Sequence, residues 1–167
     1  KLLAWYGYAE CENSQMFHIP QFVWNNNGWT WLAKVREGLV SWASLDVFEP
    51  NKRRNSWLPE QLQNCRELEK ARGVDVTWSI SNRLSANNWF LAGDAAFVID
   101  PASSHGILKA IMSGMMVSHL INQYSINSRS VIHRHYADWA RNLFYSDCKE
   151  LKKSYKSYIN GFEDYWK

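Results

Sequence analysis

The sequence predicts an α+β chain, in which an antiparallel sheet comes first, a strand followed by a helix second, and a long helical segment last. In residues 1–85, apolar and polar side chains alternate between short turns, a pattern typical of strands joined by hairpins. Residues 86–128 contain a short apolar run that ends at a glycine and leads into an apolar helix. Residues 129–167 carry apolar side chains at helical spacing. We therefore expect three segments with these boundaries.

The first segment is expected to be a meander of strands. "QMFHIPQFVW" is rich in aromatic and branched residues, and Pro20 within it predicts an edge strand or a bulge. The turn "NNNG" leads to "GWTWLAKV", in which Trp29 and Trp31 share one face of a strand, and "LVSWASLDVF" alternates in the same way. Links of two to five residues cannot cross a sheet, so these neighbours should pair antiparallel.

One helix is expected within this first segment. Pro59 suits a first helical turn, and Gly73 suits a helix end. Between them Leu62, Cys65 and Leu68 recur at helical spacing, and "VDVTWSIS" then returns to a strand.

The composition narrows the possible partners. The chain has 167 residues, the length of one ordinary domain, with ten Trp, eight Tyr and seven Phe. Rings at this density predict a core or cleft built from flat side chains. The net charge is only +3 and no face is clearly basic, which gives no case for nucleic acid. The sequence shows neither a signal peptide nor an apolar segment long enough to span a bilayer, so we expect no membrane partner.

The cysteines bear on the cellular compartment of the protein, and the first residue bears on whether the sequence is a fragment. Cys11, Cys65 and Cys148 are far apart, odd in number and in no CxxC pair. This predicts reduced thiols in a cytoplasmic protein, with neither a disulfide framework nor a metal site. Because the chain opens at Lys1 without a Met, we expect a fragment of a longer protein or one product of a split gene.

The stretch "WFLAGDAAFVIDPASSHGILKAIMSG" places polar residues and glycines after an apolar strand. Gly93 lets the backbone turn sharply and lets a ligand approach closely. Asp94 stands at the carboxyl end of that strand, where α/β sheets bind ligands, and can accept hydrogen bonds from a sugar hydroxyl. Asp100 and Pro101 predict a further turn.

A helix is predicted to begin at Gly106, after the Ser-Ser-His turn at 103–105. The free N–H groups of Gly106, Ile107 and Leu108 would point outward with the positive end of the helix dipole, which stabilises an anion. A purely structural interpretation stays open, since Gly-Asp serves turns and Ser-Ser caps helices. The helix carries one apolar stripe that we expect to pack inward: Leu108, Ile111, Met112, Met115, Met116 and Leu120.

The string "GDAAFVIDPASSHG" resembles the second flavin-binding motif of FAD-dependent monooxygenases with the hydroxybenzoate-hydroxylase fold, and more narrowly that of the halogenase-like branch. "GWTW" at 28–31 is similar to the start of that branch's GWxWxIP motif, although Ala33 and Lys34 stand where Ile-Pro would be. The resemblance covers roughly residues 15–125. It implies a fragment of an α/β FAD-binding fold: a substrate-domain sheet, then the last FAD-domain strand and helix.

The resemblance also implies a chemistry, a substrate and roles around the flavin. The parent would be an FAD-dependent oxidoreductase, a monooxygenase or halogenase-like enzyme, that uses reduced flavin and oxygen on a small aromatic or peptidyl substrate. Asp94 would hydrogen-bond the ribityl or pyrophosphate region of FAD, and Gly93 would permit that approach. Pro101 would lie along the ring, while Gly106 and Ile107 would offer N–H groups to its pyrimidine edge.

Further residues would face the substrate or a halide. Ser104 and His105 match a neighbourhood that lies near a halide in halogenases. Trp29 and Trp31 would wall a substrate tunnel, with core packing as the open alternative. Tryptophan halogenases carry a Glu where Ser103 stands, which argues against free tryptophan as the substrate.

Two features of the family do not occur in this sequence. One is the GxGxxG motif of an opening βαβ unit, and the other is the catalytic lysine of halogenases, so no catalytic residue is assigned. We therefore expect a missing N-terminal FAD-binding half as a partner, with a flavin reductase as a further partner. The alternative is a split, non-catalytic flavoprotein half that acts as a binding or scaffold partner.

Overall fold

The computed structural model describes residues 1–49, 57–123 and 129–162. The chain divides into two compact units. The first comprises residues 1–76 together with the residues from Ser154 onwards, and the second comprises residues 77–153. No helix within the described ranges is both long enough and apolar enough to cross a membrane.

An antiparallel sheet forms the first unit, as the sequence predicts. Its strands are β1 (Leu3–Glu10), β2 (Gln21–Asn25), β3 (Gly28–Arg36), β4 (Leu39–Asp46), β5 (Arg66–Glu67) and β6 (Arg72–Asp75). The order is β2-β3-β4-β1, and both β5 and β6 pair with β1. Pro20 directly precedes β2, the edge strand of this path, where a missing N–H removes no ladder bond.

The alternation of β3 and β4 confirms the predicted faces. In the register of these two strands, Trp31 lies opposite Ala43, and Leu32 lies opposite Trp42. Because side chains alternate along a strand, Trp31 and Leu32 point to opposite faces of the sheet. One face carries the core of the unit: Ala9, Cys11, Phe17, Leu32, Val40, Trp42, Leu62 and Ala71 are buried together. Gly28 begins β3, where an added Cβ would overlap the backbone carbonyl of Leu45, so only glycine fits this turn.

The opposite face is covered at one end by the last turns of a long helix. This helix, α2, runs from Arg129 to Tyr158, close to the predicted segment. Trp29 donates its indole N–H to the hydroxyl of Tyr155 at 3.1 Å. Trp24 stacks on Tyr158 with ring centroids 5.2 Å apart. These aromatic contacts fix the end of the chain on the sheet.

The predicted helix between Pro59 and Gly73 is not formed. Only Glu60–Leu62 is helical, as one 3₁₀ turn, and the rest of the segment supplies β5 and β6. The edge of β1 offers backbone partners from Leu3 to Glu10, and pairing with it satisfies the segment's own N–H and C=O groups. This long-range pairing outweighs the local helical spacing, which is a weak preference.

The expectation of reduced thiols is wrong for two of the three cysteines. Cys11 and Cys65 form a disulfide with their Cα atoms 4.6 Å apart. The pairing of β5 with β1 brings the two residues together, although they are 54 apart in sequence, and spacing along the chain carries no sign of that. Cys148 is free and half-buried.

The second unit combines two small antiparallel strand pairs with helices. Strands β7 (Ser79–Ile80) and β10 (Phe97–Val98) pair antiparallel, as do β8 (Ser85–Ala86) and β9 (Trp89–Phe90). Helix α1 spans Gly106–Asn122, close to its predicted start. The apolar strand predicted up to Ala92 is limited to β9, because strand structure needs a paired neighbour and the described residues provide one only there.

Candidate functional site

The glycine of the Gly-Asp pair adopts a conformation that its sequence position predicts. Gly93 has φ +58°, in the left-handed region, and opens a 3₁₀ turn over Gly93–Ala95. Its N–H donates to Ser113 Oγ at 2.8 Å, and an added Cβ would lie 3.4 Å from the Cβ of Ala110. The Gly-Asp turn is therefore seated directly on the first half of α1.

Asp94 lies on this turn and is exposed, as is Ala95. The following Ala96 and Phe97 are buried. A carboxylate held in this way on a short turn can accept hydrogen bonds from the hydroxyl groups of a ligand.

The Asp-Pro pair forms the turn that the sequence predicts. Asp100 is fully buried, and its Oδ1 accepts a hydrogen bond from the N–H of Ala102 at 2.8 Å. Its Oδ2 lies 3.5 Å from Trp78 Nε1. Asp100 thus caps a 3₁₀ turn over Pro101–Ser103 and is structural, whereas Pro101 itself is exposed.

The amino end of α1 is open. His105 precedes the helix and makes no side-chain cap, and Ser104 has φ +55°, which turns the chain into the helix. An added Cβ at Gly106 would meet no atom within 4 Å, and Ile107 is 82% exposed. The residues that carry the first N–H groups of α1 are therefore exposed, at the positive end of the helix dipole.

Two charged residues that the sequence reasoning missed lie beneath this helix end. Lys109 is 3% exposed, and its ammonium forms an ion pair with Asp147 of α2. Asp147 Oδ1 also lies 3.8 Å from His105 Nδ1. Burial lowers the pKa of Lys109 to about 8, and the neighbouring Cys148 acts in the opposite direction. The sequence signal for this buried charge was the lysine inside the apolar run "GILKAI".

The face of α1 that the sequence predicts as buried is exposed. The apolar residues Leu108, Ile111, Met112 and Met115 are exposed, and Met115 is 67% exposed. The buried residues of this helix are Lys109, Ser113 and Leu120, so only Leu120 of the predicted stripe is buried. The physical reason is that the Gly93 turn and α2 pack against the opposite side of α1.

The two predicted tryptophans lie in the first unit, on one face of the sheet. Trp29 is 1% exposed beneath Tyr155, and Trp31 is half-buried on the uncovered part of that face. The register aligns Tyr6, Ala43, Trp31 and Phe22 across four strands. Phe22 is the exposed neighbour of Trp31, and Tyr6 is exposed on the other side of Ala43. Period-two alternation was the signal for both. Together these four residues form an aromatic row across the sheet, interrupted by Ala43.

Comparison with solved structures identifies the fold. The flavin-dependent halogenase CmlS matches with a TM-score of 0.70 and 19% identity, over 87% of this chain and 30% of its own. The peptidyl tryptophan dihydroxylase QhpG matches with a TM-score of 0.71 and 17% identity, over 96% and 40%. PqsL, a probable FAD-dependent monooxygenase from Pseudomonas aeruginosa, gives 0.64 and 12%, over 87% and 45%. The chain has the fold of part of a flavin-dependent halogenase or monooxygenase.

This flavoenzyme fold confirms the predicted α+β class and the resemblance to halogenase-like flavoproteins. No family model and no curated protein matches the chain. The chain spans 30–45% of the length of these three structures.

The residues of the site fit a flavin. The Gly93 turn admits no side chain without strain, Asp94 is exposed, and Gly106 and Ile107, whose N–H groups begin α1, are exposed as well. Acceptors for hydroxyl groups and donors for a negatively charged ring edge are therefore both present within the second unit.

Proposed function

We propose that the chain supplies part of the flavin site of an FAD-dependent oxidoreductase, either a monooxygenase or a halogenase-like enzyme. The observation that carries the proposal is the open amino end of α1 beside the left-handed Gly93 turn, in a fold shared with flavin-dependent enzymes. Bound FAD would supply the redox chemistry, through its reduced form and oxygen. The chain's own residues bind the flavin, orient it and hold charge.

Each site residue has a defined task in this proposal. Asp94 accepts hydrogen bonds from the ribityl chain or near the pyrophosphate, and Gly93 allows the close backbone approach. Pro101 lies along the ring. The N–H groups of Gly106 and Ile107 donate to the pyrimidine edge and stabilise negative charge there, each contributing about 0.3–1 kcal/mol when exposed.

The exposed apolar face of α1 supports a missing N-terminal FAD-binding half as the partner. Ile111, Met112 and Met115 form an apolar patch on a helix, and large exposed patches mark interaction sites. The three matched structures are more than twice as long as this chain, which leaves room for such a half. A flavin reductase would be the source of electrons.

The proposed substrate is a small aromatic or peptidyl group. The aromatic row presents Tyr6, Trp31 and Phe22 on one sheet face, and flat rings bind flat ligands by stacking. Ser104 and His105 are both exposed at the start of α1, as a halide or substrate contact requires.

Flavin uptake tests the proposal. We expect the isolated chain to be colourless and to acquire flavin absorbance only when the N-terminal half is added. Asp94→Ala should lower the flavin retained after gel filtration, while the matched control Asp138→Ala, at an exposed position of α2, should not. Equal flavin retention in both variants would contradict the role of Asp94.

A second candidate function is a split flavoprotein half that binds but does not catalyse. It is favoured by Ala33 and Lys34, which stand in place of Ile-Pro. Reassembled protein decides between the two functions. Turnover of oxygen with an aromatic substrate supports the enzyme, whereas bound flavin without turnover supports the binding partner.

The cytoplasm is the proposed location, but the Cys11–Cys65 disulfide removes the argument from reduced thiols. Trapping the thiols in intact cells with an alkylating reagent tests this location. Oxidised Cys11 and Cys65 would place the protein in an oxidising compartment.

A further inference from the structure

The amino end of α1 and one carboxylate of α2 form a charged cluster within the second unit. Asp147 forms an ion pair with Lys109 and lies 3.8 Å from Nδ1 of His105. His105 immediately precedes α1 and Lys109 ends its first turn. One carboxylate therefore contacts both residues that bracket the N–H groups of Gly106 and Ile107.

The Lys109–Asp147 pair is largely removed from water, whereas the His105 side chain is 53% exposed. The Lys109 side chain is 4% exposed and the Asp147 side chain is 14% exposed. Charges in such surroundings interact more strongly than in water. A buried ion pair is also a poor source of stability, because apolar side chains of similar size often replace it without loss. The ion pair is therefore expected to matter more for the electrostatics of the helix end than for stability.

The two charges oppose each other close to the helix end. Lys109 follows Gly106 by three residues, which is about 4.5 Å along a helix axis. Its positive charge adds to the helix dipole, and the Asp147 carboxylate cancels most of it. Among the described residues, the Phe97 ring, 6.0 Å from Lys109 Nζ, and the Cys148 thiol also lie near Lys109. Burial raises the pKa of Cys148, so the thiol is neutral near pH 7.

We propose that Asp147 is a positioning residue that, through Lys109 and His105, sets the charge at the amino end of α1 and thereby the reduction potential of the flavin bound there. The proposal rests on the proposed function, because it needs flavin at this helix end. When the Lys109–Asp147 pair is intact, the two charges largely cancel, and the helix dipole is the main electrostatic influence on the edge of the flavin ring. With one member removed, the charge that the other member keeps is no longer compensated.

Opposite shifts in potential are the expected signature. Asp147→Asn leaves Lys109 unbalanced, which stabilises the anionic reduced flavin and raises the potential. Lys109→Met leaves Asp147 unbalanced, which destabilises it and lowers the potential. In each case we expect at least a tenfold change in the ratio of reduced to oxidised flavin at a fixed potential, about 30 mV for a two-electron couple. The double variant should return close to the parent.

The experiment uses the full flavin-loaded protein and measures the potential by equilibration with a reference dye. If the parent protein binds no flavin, the proposed function fails. If flavin binds but the two single variants shift the potential in the same direction, or not at all, this inference is overturned. A purely structural role would lower stability in both variants without shifts of opposite sign. Lys109→Arg and Asp147→Glu keep both charges and should retain the parent potential, and a large shift in either would also count against the inference.

Discussion

Reduction of the Cys11–Cys65 disulfide should remove a large part of the stability of the first unit. The bond joins residues 54 apart, and closing a loop of that length restricts the unfolded chain by about 14 cal/mol/K, or about 4 kcal/mol at 25 °C. Whole domains are stable by only about 5–15 kcal/mol. Reduction adds no cavity, because both sulfurs stay in place beside the core residues Ala9 and Leu62. The expected loss is therefore close to the loop term alone.

Urea unfolding, followed by tryptophan fluorescence with and without reductant, measures this loss. Cys148→Ser should serve as the background, since it removes the free thiol that could exchange with the disulfide. In the control Cys65→Ala, reductant should leave the unfolding midpoint unchanged. A decrease below about 1 kcal/mol on reduction would refute the reasoning, because it would mean that the reduced chain is already held in the native pairing or that the bond does not form.

Three other predictions test the second unit and α1. Gly93→Ala should cost about 1–2 kcal/mol in urea unfolding because of its left-handed backbone, whereas Gly114→Ala, in open space within α1, should stabilise the chain by up to about 1 kcal/mol. Burial raises the pKa of Tyr136 to about 12, so the folded state holds this proton more tightly than the unfolded state, and stability should fall as pH rises from 10 to 12. Tyr136→Phe should remove that fall, as urea midpoints at several pH values would show. Met115→Asp should change stability by less than about 0.5 kcal/mol but abolish flavin uptake with the N-terminal half, while Val35→Asp, at an exposed apolar position of β3, should leave uptake unchanged.

The strands with strong local patterns were predictable from the sequence. Trp29 and Trp31 share a face because side chains alternate with a period of two, and the turn before Gly28 fixes where β3 begins. The helical character of the last segment followed from its spacing, although α2 ends at Tyr158 and the prediction ran to residue 167. In these elements local preference and tertiary packing favour the same structure.

The segment between Pro59 and Gly73 shows where such reasoning stops. Leu62 and Cys65 have helical spacing, but the residues that follow them pair with the edge of β1. That strand lies more than fifty residues earlier in the chain. Pairing with the same strand brings Cys65 next to Cys11 and so allows the disulfide. The local sequence pattern contains no signal for the strand pairing or for the disulfide, so neither could be predicted from it.

Helix α1 shows a different limit of sequence-based prediction. The helical spacing of its apolar residues was predictable, but which face of the helix is buried was not. A helix that buries Lys109 and exposes Met115 reverses the usual arrangement, in which the apolar stripe faces the core. Lys109 tolerates burial because Asp147 meets its charge, and the exposed stripe has the composition of a surface that another polypeptide covers. One N-terminal FAD-binding half would account for both open features of α1. It would cover the apolar stripe and, with its flavin, bring an anion to the N–H groups of Gly106 and Ile107. Assembly and cofactor binding at this helix are therefore expected to be coupled, so that each strengthens the other.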